Sequence, residues 1–288
     1  MKAIFHKLSN PEEQSFDIRK YVNDYFDEKW HFHDMLQLVY IQKGKGTKYI
    51  GDSIESFSDG DVILLGSKLP HAFKSDFSEI QRRSKKKCVS IIIQFPISFL
   101  GEYFLQLPES KSIKNLFSLA ERGVIFTKDT KILMSETIIS LLKYDGMERL
   151  VKFIDLLHFA ATTKNFRLLA STNFIGAPFN NDQKINSVFE YVIDNLSNNI
   201  KLSTVATLVN MNKTAFCRYF KKKTTKTFST FLNEIRIGHA CKLIREDEIS
   251  ITEAAYLSGY NSSSYFYKQF KDNKGISPSS YQNKFRSL

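Results

Sequence analysis

The feature that most constrains this chain is an internal repeat in its last third. Ser203-Thr-Val-Ala-Thr-Leu-Val-Asn-Met-Asn-Lys-Thr-Ala-Phe-Cys-Arg-Tyr-Phe-Lys-Lys-Lys matches Ser250-Ile-Thr-Glu-Ala-Ala-Tyr-Leu-Ser-Gly-Tyr-Asn-Ser-Ser-Ser-Tyr-Phe-Tyr-Lys-Gln-Phe-Lys. The offset is 49 up to a central turn (Ala206 on Ala255) and 50 beyond it (Phe220-Lys221 on Phe270-Lys271, Phe231 on Tyr281). Each copy reads as helix, short turn, helix, and self-similarity of this kind marks a repeated supersecondary unit. Gly259 supplies the positive φ of a tight turn, and the small Ala255 lets two helices cross closely. Ser203 is the expected N-cap of the first helix, Asn212 of the second, and Asn261 or Ser262 of its counterpart.

Helical spacing continues around the repeat. Ile185, Val188, Phe189, Val192 and Leu196 share one face of a helix over Lys184 to Asn198, and Phe231, Leu232, Ile235, Ala240, Leu243 and Ile244 mark a helix joining the two copies. Residues 183–288 therefore read as all-α. They also carry the charge: 16 Lys+Arg against 8 Asp+Glu, or +8 of the chain's +11. That excess fits a domain binding a polyanion, although a solvated surface gives the same count.

Within each copy the second helix separates into two faces. Phe216, Tyr219 and Phe220 point inward while Lys213, Thr214, Cys217, Arg218, Lys221 and Lys222 lie on the open face, and in the second copy Ser263, Ser264, Tyr267, Lys268 and Lys271 lie there. Arg218 is the preferred base reader, because a guanidinium bonds guanine O6 and N7 bidentately, and Thr214 and Cys217 suit a thymine methyl. Lys221, Lys222, Lys223 and Lys271 suit phosphates, which set register and not sequence. The second helix, rich in Ser and Tyr, is expected to be the weaker base reader. Phe216, Phe220, Phe266 and Phe270, spaced i,i+4, are expected to be core.

The first third has a different texture. Leu36–Ile41, Thr47–Ile50, Val62–Leu65 and Val89–Ile93 are β-branched or aromatic runs of strand length, separated by Gly44-Lys-Gly46, Gly51-Asp-Ser53, Asp59-Gly-Asp61 and Lys68-Leu-Pro70, as in an antiparallel barrel or sandwich. After Pro96 helical spacing returns: Ile113, Leu116, Phe117 and Ala120, then Ile132, Leu133, Ile138, Ile139 and Leu142, then Leu150 to Phe159. The segment Ser171 to Asp182 mixes Gly, Pro and Asn without periodicity and reads as a linker. The basic run Arg82-Arg83-Ser-Lys85-Lys86-Lys87 reads as an exposed loop.

Composition narrows the function classes. With 25 Phe, 13 Tyr and a hydrophobic share of 42%, the chain is expected to fold. No apolar stretch approaches the roughly 18 residues that span a membrane, and Met1 to Asn10 lacks a signal peptide's apolar core, so a cytoplasmic location is expected. Cys88, Cys217 and Cys241 form no CxxC pair and are expected to be free thiols.

Two resemblances follow from these residues. From about Lys184 to Phe285, the two copies, the connecting helix and the closing Tyr260-Asn…Tyr265-Phe…Phe270-Lys…Gly275-Ile-Ser-Pro278…Tyr281 resemble the AraC/XylS family of transcription regulators. The chain departs from the family at Asn210, usually Gly, and at Gln282, usually Arg. From about Trp30 to Ala72, His31-Phe-His33, Gln37, Gly60-Asp61 and Pro70-His71 resemble the cupin pattern. There two hairpins bring histidines and a carboxylate into a barrel mouth, but Gln37 stands in place of a Glu. Three neutral imidazoles suit Zn, Fe or Mn, whereas an amide is a poor ligand. No metal or other cofactor is therefore expected. Trp30, His31, His33, Gln37 and His71 are read as hydrogen-bonded residues around a ligand pocket, with Phe73 beside them.

The expected architecture is α+β. Residues 1–96 form a cupin-like sensor or dimerisation barrel and 97–170 a helical extension that dimerises. Residues 171–182 form the linker and 183–288 a DNA-binding domain of two helix-turn-helix units. The family resemblance implies a sequence-specific transcription regulator, of activator type and not an enzyme. It also implies double-stranded DNA, RNA polymerase and a second copy of the chain as partners, and a small-molecule effector, with sugars the leading class. The genes controlled would belong to carbohydrate or related metabolism. Three alternatives stay open: a cupin-type metalloenzyme with a DNA-binding tail; a repair regulator with Cys88 as methyl acceptor, for which no activating His is evident; and an interaction protein whose basic tail binds without sequence preference.

Overall fold

The computed structural model describes residues 14–28, 30–75, 87–171, 183–224, 226–246 and 249–286. The expected linker beyond Ser171 and the basic run before Lys87 lie outside the described residues. Among the described residues the chain divides into two compact units, the first made of residues up to 51 and from 56 to 171, the second of residues from 183 onward together with Asp52–Glu55 at the start of the fourth strand.

The first unit contains β1 (Asp17–Asn23), β2 (Leu36–Lys43), β3 (Gly46–Ile50), β4 (Ser53–Phe57), β5 (Val62–Leu65), β6 (His71–Lys74), β7 (Cys88–Phe95), β8 (Val124–Phe126) and β9 (Phe166–Leu168). They form a six-stranded sheet in the order β1-β7-β2-β5-β8-β9 and a three-stranded sheet in the order β4-β3-β6. Its helices are α1 (Lys111–Ala120), α2 (Lys128–Leu141) and α3 (Gly146–Thr162).

Alternation along β2 and β7 decides how the six-stranded sheet is used, since successive side chains leave a strand on opposite faces. Leu36, Leu38 and Tyr40 with Ile91, Ile93 and Phe95 enter one core together with Ile113, Leu116 and Phe117 of α1, Met134, Ile138 and Leu141 of α2, and Phe153, Leu156 and Leu157 of α3. Phe153 sits at its centre, with ring centroids 4.3 Å from Phe16, 5.1 Å from Phe95 and 5.5 Å from Phe99. Burying a side chain of this size contributes about 1.5–3 kcal/mol. The helices thus cover one face of the sheet.

Residues 97–170 are not purely helical. β8 and β9 lie within them and extend the sheet beyond β5, with Ile63 opposite Ile125 and Val124 opposite Leu168. Runs of three residues carry no readable period, so their sheet partners and not their own sequence make them strands. Ile132 and Leu133 are half exposed; α2 buries Thr130, Met134, Ile138 and Leu141 instead, the i,i+4,i+8,i+11 stripe of a single face.

The second unit contains α4 (Gln183–Asp194), α5 (Leu202–Leu208), α6 (Lys213–Thr224), α7 (Phe228–Glu246), α8 (Ile251–Leu257), α9 (Ser263–Lys274) and α10 (Pro278–Arg286). The sequence repeat is also a geometric one. Phe216 and Phe220 stand 5.6 Å apart, as do Phe266 and Phe270. Phe231 lies 5.5 Å from Phe220 and its counterpart Tyr281 lies 5.5 Å from Phe270. α7 serves both halves: Phe228 and Phe231 meet the first aromatic cluster, while Ile237, Ala240, Cys241 and Ile244 join Ala254, Ala255, Tyr260, Phe266 and Phe270 in the second core. Among the described residues no helix is long and apolar enough to cross a membrane.

Candidate functional site

The face of the six-stranded sheet turned away from its helices lines a cavity of about 630 Å³. Its wall is built by strand register: Gln37 pairs with Gln94, Val39 with Ile92 and Ile41 with Ser90 across β2 and β7, and Tyr21 of β1 pairs with Ser90. All of these residues line it, together with His31, Phe73 and the acidic group Asp24, Asp27 and Glu28. Gln94 Nε2 donates to Gln37 Oε1 at 2.5 Å, tying the two central strands together through their side chains.

Of the expected pocket residues, His31 and Gln37 are on this wall, and Phe73 with them. Trp30, His33 and His71 are buried and are not part of the lining. The acidic group, Ser90 and Gln94 escaped the sequence reading. The signal for the last two was available, since Ser90 and Gln94, four residues apart and therefore on one face of a strand, interrupt an otherwise apolar run.

His31, His33 and His71 nevertheless converge. The first two share a face because they are two residues apart. His31 and His71 exchange both backbone hydrogen bonds, at 3.1 and 2.9 Å, which makes them directly opposite neighbours on one face. Their ring centroids lie 4.3 Å apart, and that of His33 lies 5.1 Å from His71. His33 Nδ1 is 2.8 Å from the Met35 carbonyl, and His71 Nδ1 is 2.8 Å from the Leu69 carbonyl. A carbonyl only accepts, so each Nδ1 carries the proton and each neutral ring turns its Nε2 lone pair the other way.

Burial, with the adjoining His31 and His33 rings, holds the His71 imidazole well below the usual histidine range. The unfolded chain takes up a proton near pH 6.5 that the native state refuses, so this stability is complete above that pH and falls as pH drops below it. Acidification from pH 7 should destabilise the first unit, with at most about 1.4 kcal/mol per pH unit coming from His71. The chain's one tryptophan, Trp30, is buried beside His31 and reports the loss by fluorescence. His71→Gln should flatten the dependence; an unchanged pH profile would contradict the assignment.

In the second unit the turns between α5 and α6 and between α8 and α9 match bond for bond. Met211 N donates to Ala206 O at 2.9 Å, and Tyr260 N to Ala255 O at 3.0 Å. Asn210 and Gly259 occupy the same slot with φ of 56° and 82°, consistent with the tolerance of Asn for this region. Asn212 Oδ1 accepts from Ala215 N at 2.8 Å and Ser262 Oγ from Tyr265 N at 3.3 Å. The extra residue of the second turn is therefore Asn261, and Ser262 is the cap. Ser203 is not the cap of α5: the helix begins at Leu202 with Lys201 in the N-cap position and no side-chain bond.

The open faces hold the residues expected there. Lys213, Thr214, Cys217, Arg218, Lys221 and Lys222 are exposed on α6, as are Asn261 in the second turn and Ser264, Tyr267, Lys268 and Lys271 on α9; Ser263 is half-buried. No ion pair among the described residues neutralises Arg218 or these lysines. Cys88 and Cys241 are buried and free, and Cys217 is exposed and free. A methyl-accepting role for Cys88 lacks access. α9 is held on α7 by Asn233, whose Nδ2 donates to Gln269 Oε1 at 3.0 Å and to the Tyr265 hydroxyl at 3.3 Å.

Residues 205–284 match the model of a helix-turn-helix domain, and residues 18–122 match that of the AraC-like ligand binding domain. The chain belongs to the AraC family, as a DNA-binding transcription regulator with a ligand-binding domain. It is 23% identical over 269 residues to the HTH-type transcriptional activator RhaR of Mannheimia succiniciproducens, covering 88% of this chain and 87% of that one. It is 32% identical over 107 residues to an uncharacterized HTH-type transcriptional regulator in the cgkA 5' region of Pseudoalteromonas carrageenovora. That match covers 37% of this chain and 63% of the relative. Against the crystal structure of ToxT from Vibrio cholerae O395 the TM-score is 0.37 at 17% identity, over 95% of this chain and 99% of the other.

Proposed function

We propose that α5–α6 and α8–α9 are two helix-turn-helix units that together read one long, asymmetric DNA site, and that a small polar ligand in the N-terminal cavity regulates this reading. The observation that carries the proposal is the duplicated turn, Asn210 matching Gly259, after which the first copy presents the exposed Lys213, Arg218, Lys221 and Lys222 on one helix. α6 and α9 are the reading helices, and entry into successive major grooves requires them about one DNA turn, roughly 34 Å, apart. Lys221, Lys222 and Lys271 hold phosphates, and Arg218 reads a guanine edge.

The cavity wall combines amides (Gln37, Gln94), hydroxyls (Tyr21, Ser90) and carboxylates (Asp24, Asp27, Glu28) with apolar Val39, Ile92 and Phe73. Such a wall suits a polyhydroxylated ligand, which supports a sugar-class effector and control of carbohydrate genes. The half-exposed Ile132 and Leu133 and the exposed Met147 and Val151 in the 97–170 segment support a homodimer. In this reading the protein is a cytoplasmic activator that recruits RNA polymerase, and not an enzyme.

Genome-wide mapping of bound sites, followed by footprinting with candidate sugars, tests the reading. Binding without sequence preference would overturn it, and footprints that no sugar alters would leave the N-terminal unit as a dimerisation module only. Lys221→Ala should weaken cognate and unrelated DNA alike and lower the slope of log affinity against log salt by about one unit. A loss confined to the cognate sequence would assign Lys221 to a base instead.

A further inference from the structure

We propose that the effector held by the N-terminal cavity carries a protonated amine beside its hydroxyls, as an amino sugar does. This rests on the reading of the cavity as the effector site and adds the effector's charge. The hydrogen-bonding inventory of the wall points to it. Among the described residues lining the cavity, three are carboxylic acids, Asp24, Asp27 and Glu28, and none is Lys or Arg. Gln94 Nε2 has already committed a proton to Gln37 Oε1. Ionised carboxylates only accept, whereas hydroxyls and amides both donate and accept, so the wall offers more acceptors than donors. An ammonium, with three donors and no acceptor, answers that excess.

The acidic segment is anchored against β6. Ser75 N donates to Phe26 O at 2.7 Å and Glu28 N to Phe73 O at 3.0 Å. Glu28 Oε2 in turn accepts from Phe73 N at 3.2 Å, which holds this carboxylate at the wall. Asp24 meets Lys87 at the surface, and Asp27 and Glu28 are assigned to the ligand's ammonium. Aromatic faces flank them: Phe26, Phe73, Tyr21 and Tyr25 all line the cavity. Phe26 and Phe73 rest on the buried Phe57, with ring centroids 5.1 and 5.5 Å from it. Rings fixed in this way attract a cation through their negative faces.

Other charge states fit less well. An anionic effector, such as a sugar phosphate, would bring its charge to these carboxylates with no lining Lys or Arg to meet it. A neutral sugar would satisfy Gln37, Gln94 and Ser90 but would cover the carboxylates without a counter-charge, and desolvating an unanswered charge is costly. An amino sugar matches the hydroxyl and amide part of the wall with its own hydroxyls and the acidic part with its ammonium.

The test is calorimetric titration of the full chain, without DNA, with two matched pairs: D-glucosamine against D-glucose and D-galactosamine against D-galactose. Within each pair an ammonium replaces one hydroxyl. At least one amine is expected to bind about 10-fold or more tightly than its neutral partner, with the preference shrinking as salt is raised. N-acetylation of that amine, which removes the charge, should abolish the preference. The double variant Asp27→Asn, Glu28→Gln keeps side-chain size and should bring each pair to within about 2-fold, with the fluorescence of the buried Trp30 unchanged. Neutral partners bound as tightly as the amines, a preference that survives the double variant, or no binding of either amine would overturn the charge assignment. Neutral sugars bound in place of the amines would still leave the cavity a sugar site. An amine that binds as expected but alters no DNA footprint would leave the charge assignment standing and remove the regulatory role, so the two readings fail separately.

Discussion

Gly259→Ala is expected to unfold the second unit at far milder conditions than the parent chain, with a loss of about 3 kcal/mol or more. Two effects add. The residue sits at φ 82°, where an alanine side chain is strained by about 1–2 kcal/mol. A Cβ there would also stand 2.4 Å from the Leu196 carbonyl oxygen and 2.8 Å from Arg236 Nε and Nη2. The carbonyl belongs to the backbone, and Arg236 is committed, donating from Nη2 to Asn198 O at 2.8 Å and lying over the Tyr260 ring at 5.8 Å. Neither neighbour can yield without moving the end of α4 or the turn itself.

Far-UV circular dichroism follows this helical unit, while Trp30 fluorescence follows the first. The first signal should shift and the second should hold. Asn210→Gly in the equivalent slot should change stability by less than about 1 kcal/mol. Equal effects at the two positions would mean that the turns are not equivalent.

Arg218→Ala should cost about 1–3 kcal/mol on the cognate site, roughly 5- to 150-fold in affinity, with relaxed preference at one base pair. Arg218 is exposed on α6 in the middle of its outward face, one turn before Lys221 and Lys222. Its charge is unpaired among the described residues, so in the proposed reading no internal bond has to break before it meets DNA. The corresponding region of α9 offers Tyr267 and Lys268 with Ser263 and Ser264 before them, groups that are short, phenolic or suited to phosphate. Ser264→Ala should therefore cost less than Arg218→Ala. Binding measured against a panel of single-base variants separates the two units. If Arg218→Ala left both affinity and base preference intact, α6 would not be the reading helix.

Much of the second unit is legible residue by residue. The i,i+4 phenylalanines, the capping Asn212 and the single inserted residue at Asn261 are local features, and helix and turn energetics depend on neighbours within a few positions. The mislocated cap at Ser203 is a two-residue boundary error of the same local kind. α7 was recognisable as the helix joining the two copies, and the structure adds that its faces enter both cores.

In the first unit the strongest runs were readable as strands, whereas β8 and β9 were not, since three residues acquire strand geometry only from partners far along the chain. The cavity illustrates the same limit. Gln37 and Gln94, 57 residues apart, meet because β2 and β7 are adjacent in register, and nothing near either glutamine announces the other. His31-Phe-His33 signals a shared face by its spacing alone. That His71 stands directly opposite His31, with a bare Nε2 turned inward, follows from strand pairing.

The sequence by itself determined the repeated helix and turn pattern of the second unit, its positive-φ slots and the chemistry of its outward faces, because these are set by contacts within a few residues. Tertiary structure alone decided which face of the sheet is hollow, which polar groups line it and how close the three imidazoles come. Those outcomes depend on the register between distant strands, which only the collapse of the whole core selects.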